Sequence, residues 1–146
     1  MRKNLSILII AAILFTLPAF AQVRIKFIAS DHTLVINKVS VDGSEFTSEK
    51  ILTAYSSHGT ITCYVKGGNA GCAQAVVFKF ATFDSFRNQW DTAEWLSVSV
   101  TPSGTSDIQK TVSIDAYMEK IKLLSVQNQE TTTGYTFTVN ASIFLK

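Results

Sequence analysis

Residues 135–145 read YTFTVNASIFL, and this stretch decides the fold class of the chain. From Tyr135 to Leu145 every second residue is apolar, and the residues between them up to Ser142 are polar. An alternation of period two places one set of side chains on one face of an extended chain and the other set on the opposite face. The stretch therefore predicts a β-strand with one buried face and one face open to water.

The same alternation recurs along the chain, where clusters of Gly, Asn, Asp, Ser and Pro interrupt it at residues 42–44, 57–59, 67–69, 102–104 and 128–134. The other predicted apolar rows are Val23, Ile25 and Phe27; Val35, Val39 and Val41; Ile61, Cys63 and Val65; Val76, Phe78 and Phe80; Leu96, Val98 and Val100; and Val112 and Ile114. We therefore predict an all-β fold, an antiparallel, jelly-roll-like β-sandwich of about eight or nine strands.

The N-terminus has the pattern of a secretory signal peptide. Arg2 and Lys3 precede a largely apolar run over residues 5–17, and residues 18–21 end in the small-x-small pattern that a signal peptidase accepts. We expect cleavage after Ala21, with residues 22–146 forming a single β-sandwich domain. The apolar run is shorter than the roughly 20 residues of a bilayer span. The expected location is outside the cytoplasm: secreted, periplasmic or at the cell surface.

The charge balance argues against some classes of partner. Removing Arg2 and Lys3 from the 13 basic residues leaves as many basic as the 11 acidic residues. A chain of balanced charge lacks the basic patch with which proteins bind nucleic acids or anionic membranes. We expect no nucleic-acid partner and no membrane insertion of the mature chain.

The two cysteines, Cys63 and Cys72, flank a Gly-Gly-Asn cluster at residues 67–69. Such a cluster is typical of a tight turn, and a hairpin with a cysteine on each arm would bring the two thiols within bonding distance. Exported proteins meet an oxidising environment in which disulfides persist. The sequence therefore predicts a structural disulfide between Cys63 and Cys72.

Residues 82–95 contain four large aromatic residues among acidic and amide residues. Flat rings that stack on a sugar, together with carboxylates and amides that bond its hydroxyls, are typical of a saccharide-binding loop. We expect Trp90 to be exposed because polar residues flank it, and Trp95 to pack on the core because it precedes a strand. The predicted ligand-binding residues are Asp84, Arg87, Asn88, Gln89, Trp90 and Asp91.

No constellation of catalytic residues is evident. His32 and His58 fall in separate predicted turns, and no Gly-x-Ser-x-Gly nucleophile elbow is present. No spacing of His and Cys fits a metal site. We therefore expect no enzymatic activity, no metal and no other cofactor.

The sequence favours a secreted, non-catalytic β-sandwich that acts as a binding or adhesion-like module, with carbohydrate as one ligand class. Its expected partners are a glycan or a surface protein. A structural subunit that forms homo-oligomers at the cell surface is a second interpretation. A small outer-membrane β-barrel is a third, because alternating strands after a signal peptide also fit that class.

Overall fold

A computed structural model describes residues 23–28, 32–34, 39–41, 49–51, 58–115 and 120–145. The predicted signal peptide and its cleavage point lie outside the described residues. Every regular element within these ranges is a β-strand. No helix in the described part of the chain has the length and apolar character needed to cross a membrane.

The described residues form eleven strands. They are β1 (Val23–Lys26), β2 (His32–Leu34), β3 (Val39–Val41), β4 (Glu49–Ile51), β5 (His58–Gly67), β6 (Val76–Asp84), β7 (Gln89–Trp90), β8 (Leu96–Val100), β9 (Asp107–Asp115), β10 (Lys120–Asn128) and β11 (Phe137–Leu145). All pairings between these strands are antiparallel. The histidines therefore lie at strand positions, His32 in β2 and His58 in β5, and not in the predicted turns.

The strands are divided between two sheets. Sheet I has the order β1-β11-β5-β9, with β2 also paired to β11. Sheet II has the order β3-β10-β6-β7, with β4 also paired to β10 and β8 to β6. Since β1 and β2 pair with different halves of β11, they lie end to end along its free side. The pairs β3/β4 and β8/β7 are arranged in the same way, which makes each sheet four strands wide.

One apolar core lies between the two sheets. β5 directs Ile61, Cys63 and Val65 inward, and all three are fully buried. From the other side, Phe80 of β6 meets Phe27 with ring centroids 5.2 Å apart. Burial of each large apolar side chain contributes about 2 kcal/mol to folding.

The predicted all-β antiparallel sandwich is confirmed, and the predicted inward rows on β5, β6, β8 and β11 are buried, except for the half-buried Leu96. The described residues form two sheets with a filled core between them. The sequence did not predict β10, whose alternation is broken by a register shift between Leu123 and Ser125. A β-bulge inserts an extra residue and so disrupts period two.

The predicted cysteine hairpin is wrong. β5 continues to Gly67 and the next strand, β6, belongs to the other sheet, so the chain crosses between sheets where a hairpin was expected. Cys72 packs against the end of β5, where a Cβ atom on Gly67 would lie 2.6 Å from the Cys72 Cβ. Cys63 lies four residues earlier, about 13 Å along the strand. Both cysteines are buried free thiols, and the disulfide is not formed.

The connection from β10 to β11 carries the chain from sheet II back to sheet I and contains buried polar groups. The Asn128 Oδ1 accepts the amide N–H of Glu130 at 2.8 Å. The Glu130 carboxylate in turn accepts the amides of Thr132 at 2.9 Å and Thr131 at 3.0 Å. These bonds, first those from Thr132, lower the pKa of the Glu130 carboxyl. The bonds fix the connection that leads into β11, the central strand of the site described next.

Candidate functional site

The outer face of sheet I carries a polar depression of about 360 Å³, which we call the outer groove. Its lining consists of Arg24, Lys26, Thr62, Tyr64, Gln109, Asn140 and Ser142. These residues occupy the outward positions of β1, β5, β9 and β11, opposite the residues that fill the core. The registers bring them together: Tyr64 lies between Asn140 and Gln109 across the sheet.

Hydroxyl and carboxylate groups order one side of the groove. Tyr64 donates its hydroxyl hydrogen to Asp107 Oδ1 at 2.9 Å, so the ring leans toward the edge strand β9. Lys66 forms an ion pair with the same carboxylate at 3.3 Å. The hydrogen bond from Tyr64 and the one from Lys66 lower the pKa of Asp107. Nearby, the hydroxyls of Thr62 and Thr111 lie 3.0 Å apart. The groove thus has a fixed polar edge.

Two further depressions continue the groove along the strands. One of about 280 Å³ shares Arg24, Thr62, Gln109 and Ser142 with the first and adds Phe144. The other, of about 200 Å³, includes Phe144 and reaches the strand ends at residues 58–60 and 113–115. Lys66 follows Thr60 by six residue steps along β5, which corresponds to about 20 Å of strand. The face therefore has room for an extended ligand.

Residues 82–95 are not the single long loop that the sequence predicted. β6 runs on to Asp84, and β7 returns beside it, with Phe83 opposite Trp90 and Asp84 opposite Gln89. Asp84 Oδ1 accepts the amides of Phe86 at 2.9 Å and Arg87 at 3.0 Å. Asn88 closes the turn in the left-handed region, with φ 51°. Asn is among the few residues that tolerate this region.

Trp90, one of the predicted ligand-binding residues, is half-buried. Its ring meets Phe83 edge-on at a centroid distance of 5.3 Å, and Lys122 Nζ lies 5.0 Å from its centroid. Lys120 Nζ lies 4.3 Å from the centroid of Phe83. We call Phe83, Trp90, Lys120 and Lys122 the aromatic cluster; it lies on the outer face of sheet II. Trp90 therefore has protein partners of its own, contrary to the expected exposure.

Two other aromatic residues are more exposed than Trp90. Trp95, expected to pack on the core, is 41% exposed, and Phe86 at the hairpin tip is 97% exposed. The amides of Asp91 and Trp95 donate to the carbonyls of Thr82 and Phe80. Because these bonds hold residues 91–95 along the edge of β6, the segment does not cross the open end of the core. The predicted role of Trp95 as a core residue is wrong.

The remaining predicted site residues bond mainly to their own hairpin. Asp84 forms an ion pair with Arg87 at 3.7 Å, in addition to its two amide bonds. Asp91 Oδ2 accepts the hydroxyl hydrogen of Thr82 at 2.7 Å. Gln89 and Asn88 are exposed. The hairpin brings all six predicted residues together, but both carboxylates already serve as acceptors within it.

The residues of the outer groove were not among the predicted site residues. Their signal was present in the polar rows that alternate with the core residues, such as Thr62 and Tyr64, or Asn140 and Ser142. The described residues contain no group of three or more His, Cys, Asp or Glu side chains that is arranged to hold a metal ion. The groove offers hydroxyls, amides and two cations as its binding chemistry.

No protein-family model and no curated protein sequence matches this chain. Among solved structures it is similar to the CBM36-1 domain of a multidomain xylanase from the hindgut metagenome of Trinervitermes trinervoides, with 8% identity over 84% of this chain and 95% of that one, at a TM-score of 0.45. It is also similar to a carbohydrate-binding module from a glycoside hydrolase family 9 protein of Ruminococcus flavefaciens FD-1, with 14% identity over 80% of this chain and 98% of that one, at a TM-score of 0.42.

A third solved structure with a similar fold is the K3 cleaved adhesin domain of Lys-gingipain from Porphyromonas gingivalis W83. The identity is 16% over 62% of this chain and 55% of that one, at a TM-score of 0.39.

Proposed function

We propose that this protein is a non-catalytic binding module for carbohydrate and that the ligand binds in the outer groove. The observation that carries the proposal is the lining of that groove, where hydroxyl and amide side chains surround the aromatic residue Tyr64 on an open face. A sugar presents hydroxyls that donate and accept hydrogen bonds, together with apolar C–H faces. A polar floor beside an aromatic ring complements both.

The contacts within the groove are of a kind that a sugar can replace. Arg24 reaches Ser142 Oγ from Nε at 3.4 Å and from Nη2 at 3.3 Å, which are long hydrogen bonds. Gln109 is exposed at the rim. When a ligand hydroxyl replaces a weak internal bond or a water, the protein keeps its hydrogen bonds and gains new contacts. The groove therefore binds a polyhydroxylated ligand without unfolding any element.

The hairpin with Asp84, Arg87, Asn88, Gln89, Trp90 and Asp91 is the alternative location for the same ligand. A sugar at this location would stack on Trp90, which already has Lys122 over its ring. It would also compete with the internal bonds of Asp84 and Asp91. These costs favour the outer groove.

Affinity electrophoresis on a panel of soluble polysaccharides tests the proposal and locates the site. We expect Tyr64→Ala to abolish retention of the folded protein, measured below its melting temperature, because the half-buried ring and its hydroxyl bond to Asp107 also contribute to stability. Trp95→Ala, which removes an exposed ring on the other sheet, is the control and should retain the ligand. If Trp90→Ala loses retention and Tyr64→Ala keeps it, the ligand binds at the hairpin and not in the outer groove. A wild-type protein retained by no polysaccharide would refute carbohydrate binding.

The proposal includes export, with residues 1–21 as a cleaved signal peptide. When the full chain is expressed in a secreting host, the exported protein should begin at Gln22. N-terminal sequencing of the extracellular or periplasmic fraction measures this. Recovery of an intact Met1 would contradict it.

Assembly into homo-oligomers is a second candidate function, and Phe86 favours it. A phenylalanine that is 97% exposed at a hairpin tip is a costly surface residue unless another molecule covers it. Light scattering at high protein concentration should then show an oligomer that Phe86→Ser dissociates. A monomer at all concentrations would exclude this function.

A further inference from the structure

Two cations stand beside the outer groove on β1. Arg24 and Lys26 are both exposed and occupy positions paired with Phe144 and Ser142 of β11. Both line the 360 Å³ depression, and Arg24 also lines the adjoining one of about 280 Å³. Two positive charges are therefore concentrated over one polar floor.

No carboxylate of the described residues neutralises these cations. The ion pairs in this part of the chain join Lys66 with Asp107, Lys79 with Glu94 and Arg87 with Asp84. Arg24 has only the two long bonds to the Ser142 hydroxyl, whereas a guanidinium has five N–H donors. Neither depression is lined by a carboxylate.

The carboxylates on the same face lie at the opposite edge of the sheet. Asp107 and Asp115 mark the two ends of β9, and Asp107 already accepts the Tyr64 hydroxyl and the Lys66 ammonium. β11 and β5 lie between these residues and β1. A ligand that lies along β1 and β11 thus meets positive charge and hydroxyl groups.

We propose that the outer groove selects a polysaccharide with anionic sugar units, either carboxylated or sulfated. The inference rests on the proposed carbohydrate-binding function and specifies its ligand class. Arg24 donates two parallel hydrogen bonds to the anionic group of one sugar, since the planar guanidinium matches carboxylate and sulfate oxygens. Lys26 supplies a second charge at the same depression, and Thr62 and Asn140 bond the sugar hydroxyls.

Matched polysaccharide pairs separate charge recognition from sugar recognition. The pairs are polygalacturonate and its methyl ester, dextran sulfate and dextran, and carboxymethyl cellulose and hydroxyethyl cellulose. For at least one pair, the full chain should bind the anionic member about tenfold more tightly at low salt. Because the cations are exposed, the preference should shrink as salt rises through 0.15 M, where the Debye length is about 8 Å.

Charge variants assign the preference to the groove. Arg24→Gln and Lys26→Gln should each reduce the ratio of affinities for the anionic and the neutral member of a pair, and together they should bring that ratio to about one. Lys79→Gln removes the same single charge on the other sheet and should keep the preference. If Arg24→Gln fails to fold, Arg24→Lys preserves the charge and should keep a reduced preference.

Each other outcome overturns the inference. Equal affinity for both members of every bound pair refutes anion selection and leaves carbohydrate binding intact. Binding to neither member of any pair refutes both proposals. An equal loss of preference in Lys79→Gln would show that net charge, and not the two groove cations, accounts for the binding.

Discussion

The outer groove and the aromatic cluster lie on opposite outer faces of the sandwich and differ in how their side chains are held. Groove residues make polar contacts with residues of β9 at the groove's edge, such as Thr62 with Thr111 and Tyr64 with Asp107. In the cluster, Trp90 packs edge-on against Phe83, and a lysine lies over each ring. A hydrogen bond near water can be replaced by one to water or to a ligand with little net change in free energy. Packed aromatic rings lose their contacts when they separate, and water offers no equivalent contact.

This difference shows that a run of aromatic residues does not by itself mark a binding site. The cluster uses its aromatic area to attach a two-stranded hairpin, which alone is marginally stable. The groove has fewer rings and more exchangeable polar groups, which suits reversible binding. Substitutions in the cluster should therefore change stability, and substitutions in the groove should change affinity.

Trp90→Ala should produce the largest loss of stability and so tests the structural role of the cluster. Removing this half-buried ring deletes its packing on Phe83 and its contact with Lys122. We expect a loss of about 2 kcal/mol and a fall of about 5–10 °C in melting temperature, measured by urea and thermal unfolding. Polysaccharide retention below the transition should stay unchanged. If the melting temperature is unchanged and retention is lost, the aromatic cluster binds the ligand and does not stabilise the fold.

A smaller effect should separate the two possible roles of Asp91. Thr82→Val removes the hydroxyl that Asp91 accepts at 2.7 Å but leaves the carboxylate available to a ligand. Thr82→Val and Asp91→Asn should each destabilise the protein by about 1 kcal/mol, because each weakens one charge-assisted hydrogen bond. Unfolding titrations measure this loss. If retention falls in Asp91→Asn alone, the carboxylate contacts the ligand and the hairpin belongs to the binding site.

The inward rows were predictable because period two is a local property. Residues 137–145 and 58–67 alternate in the sequence as they do in the fold. The connection after Gly67 was not predictable, since a Gly-Gly-Asn turn fits both a hairpin and a crossing between sheets. The bulge in β10 was also not predictable, because an apolar residue such as Leu124 fits a regular strand as well as a bulge.

The candidate site depended on long-range pairing, which local patterns do not specify. Polar neighbours in sequence suggested that Trp90 was exposed, but Phe83 and Lys122 cover it from other strands. Tyr64, Gln109 and Asn140 form one row only because β5 pairs with both β9 and β11 in these registers. A sequence shows which side chains face outward, and strand order decides which of them meet.

Tyr64→Phe should have the smallest effect on stability, and it tests what the Tyr64 hydroxyl does in the groove. The hydrogen bond from Tyr64 is the main cause that holds the pKa of Asp107 below its ordinary value of 3.8. A lowered folded pKa contributes stability at higher pH, which is lost as the pH falls through that pKa. Wild type and variant should therefore differ slightly in stability at neutral pH and converge in acid.

NMR titration of the Asp107 carboxyl should show its pKa rising toward 3.8 in Tyr64→Phe, with Lys66 still lowering it in part. An unchanged pKa would contradict the assigned hydrogen bond. Retention should persist because the ring remains. If Tyr64→Ala and Tyr64→Phe both abolish retention, the ligand contacts the hydroxyl itself. The Tyr64 hydroxyl would then donate to a sugar oxygen instead of to Asp107 when the ligand binds. The polar edge of the groove would in that case take part in binding.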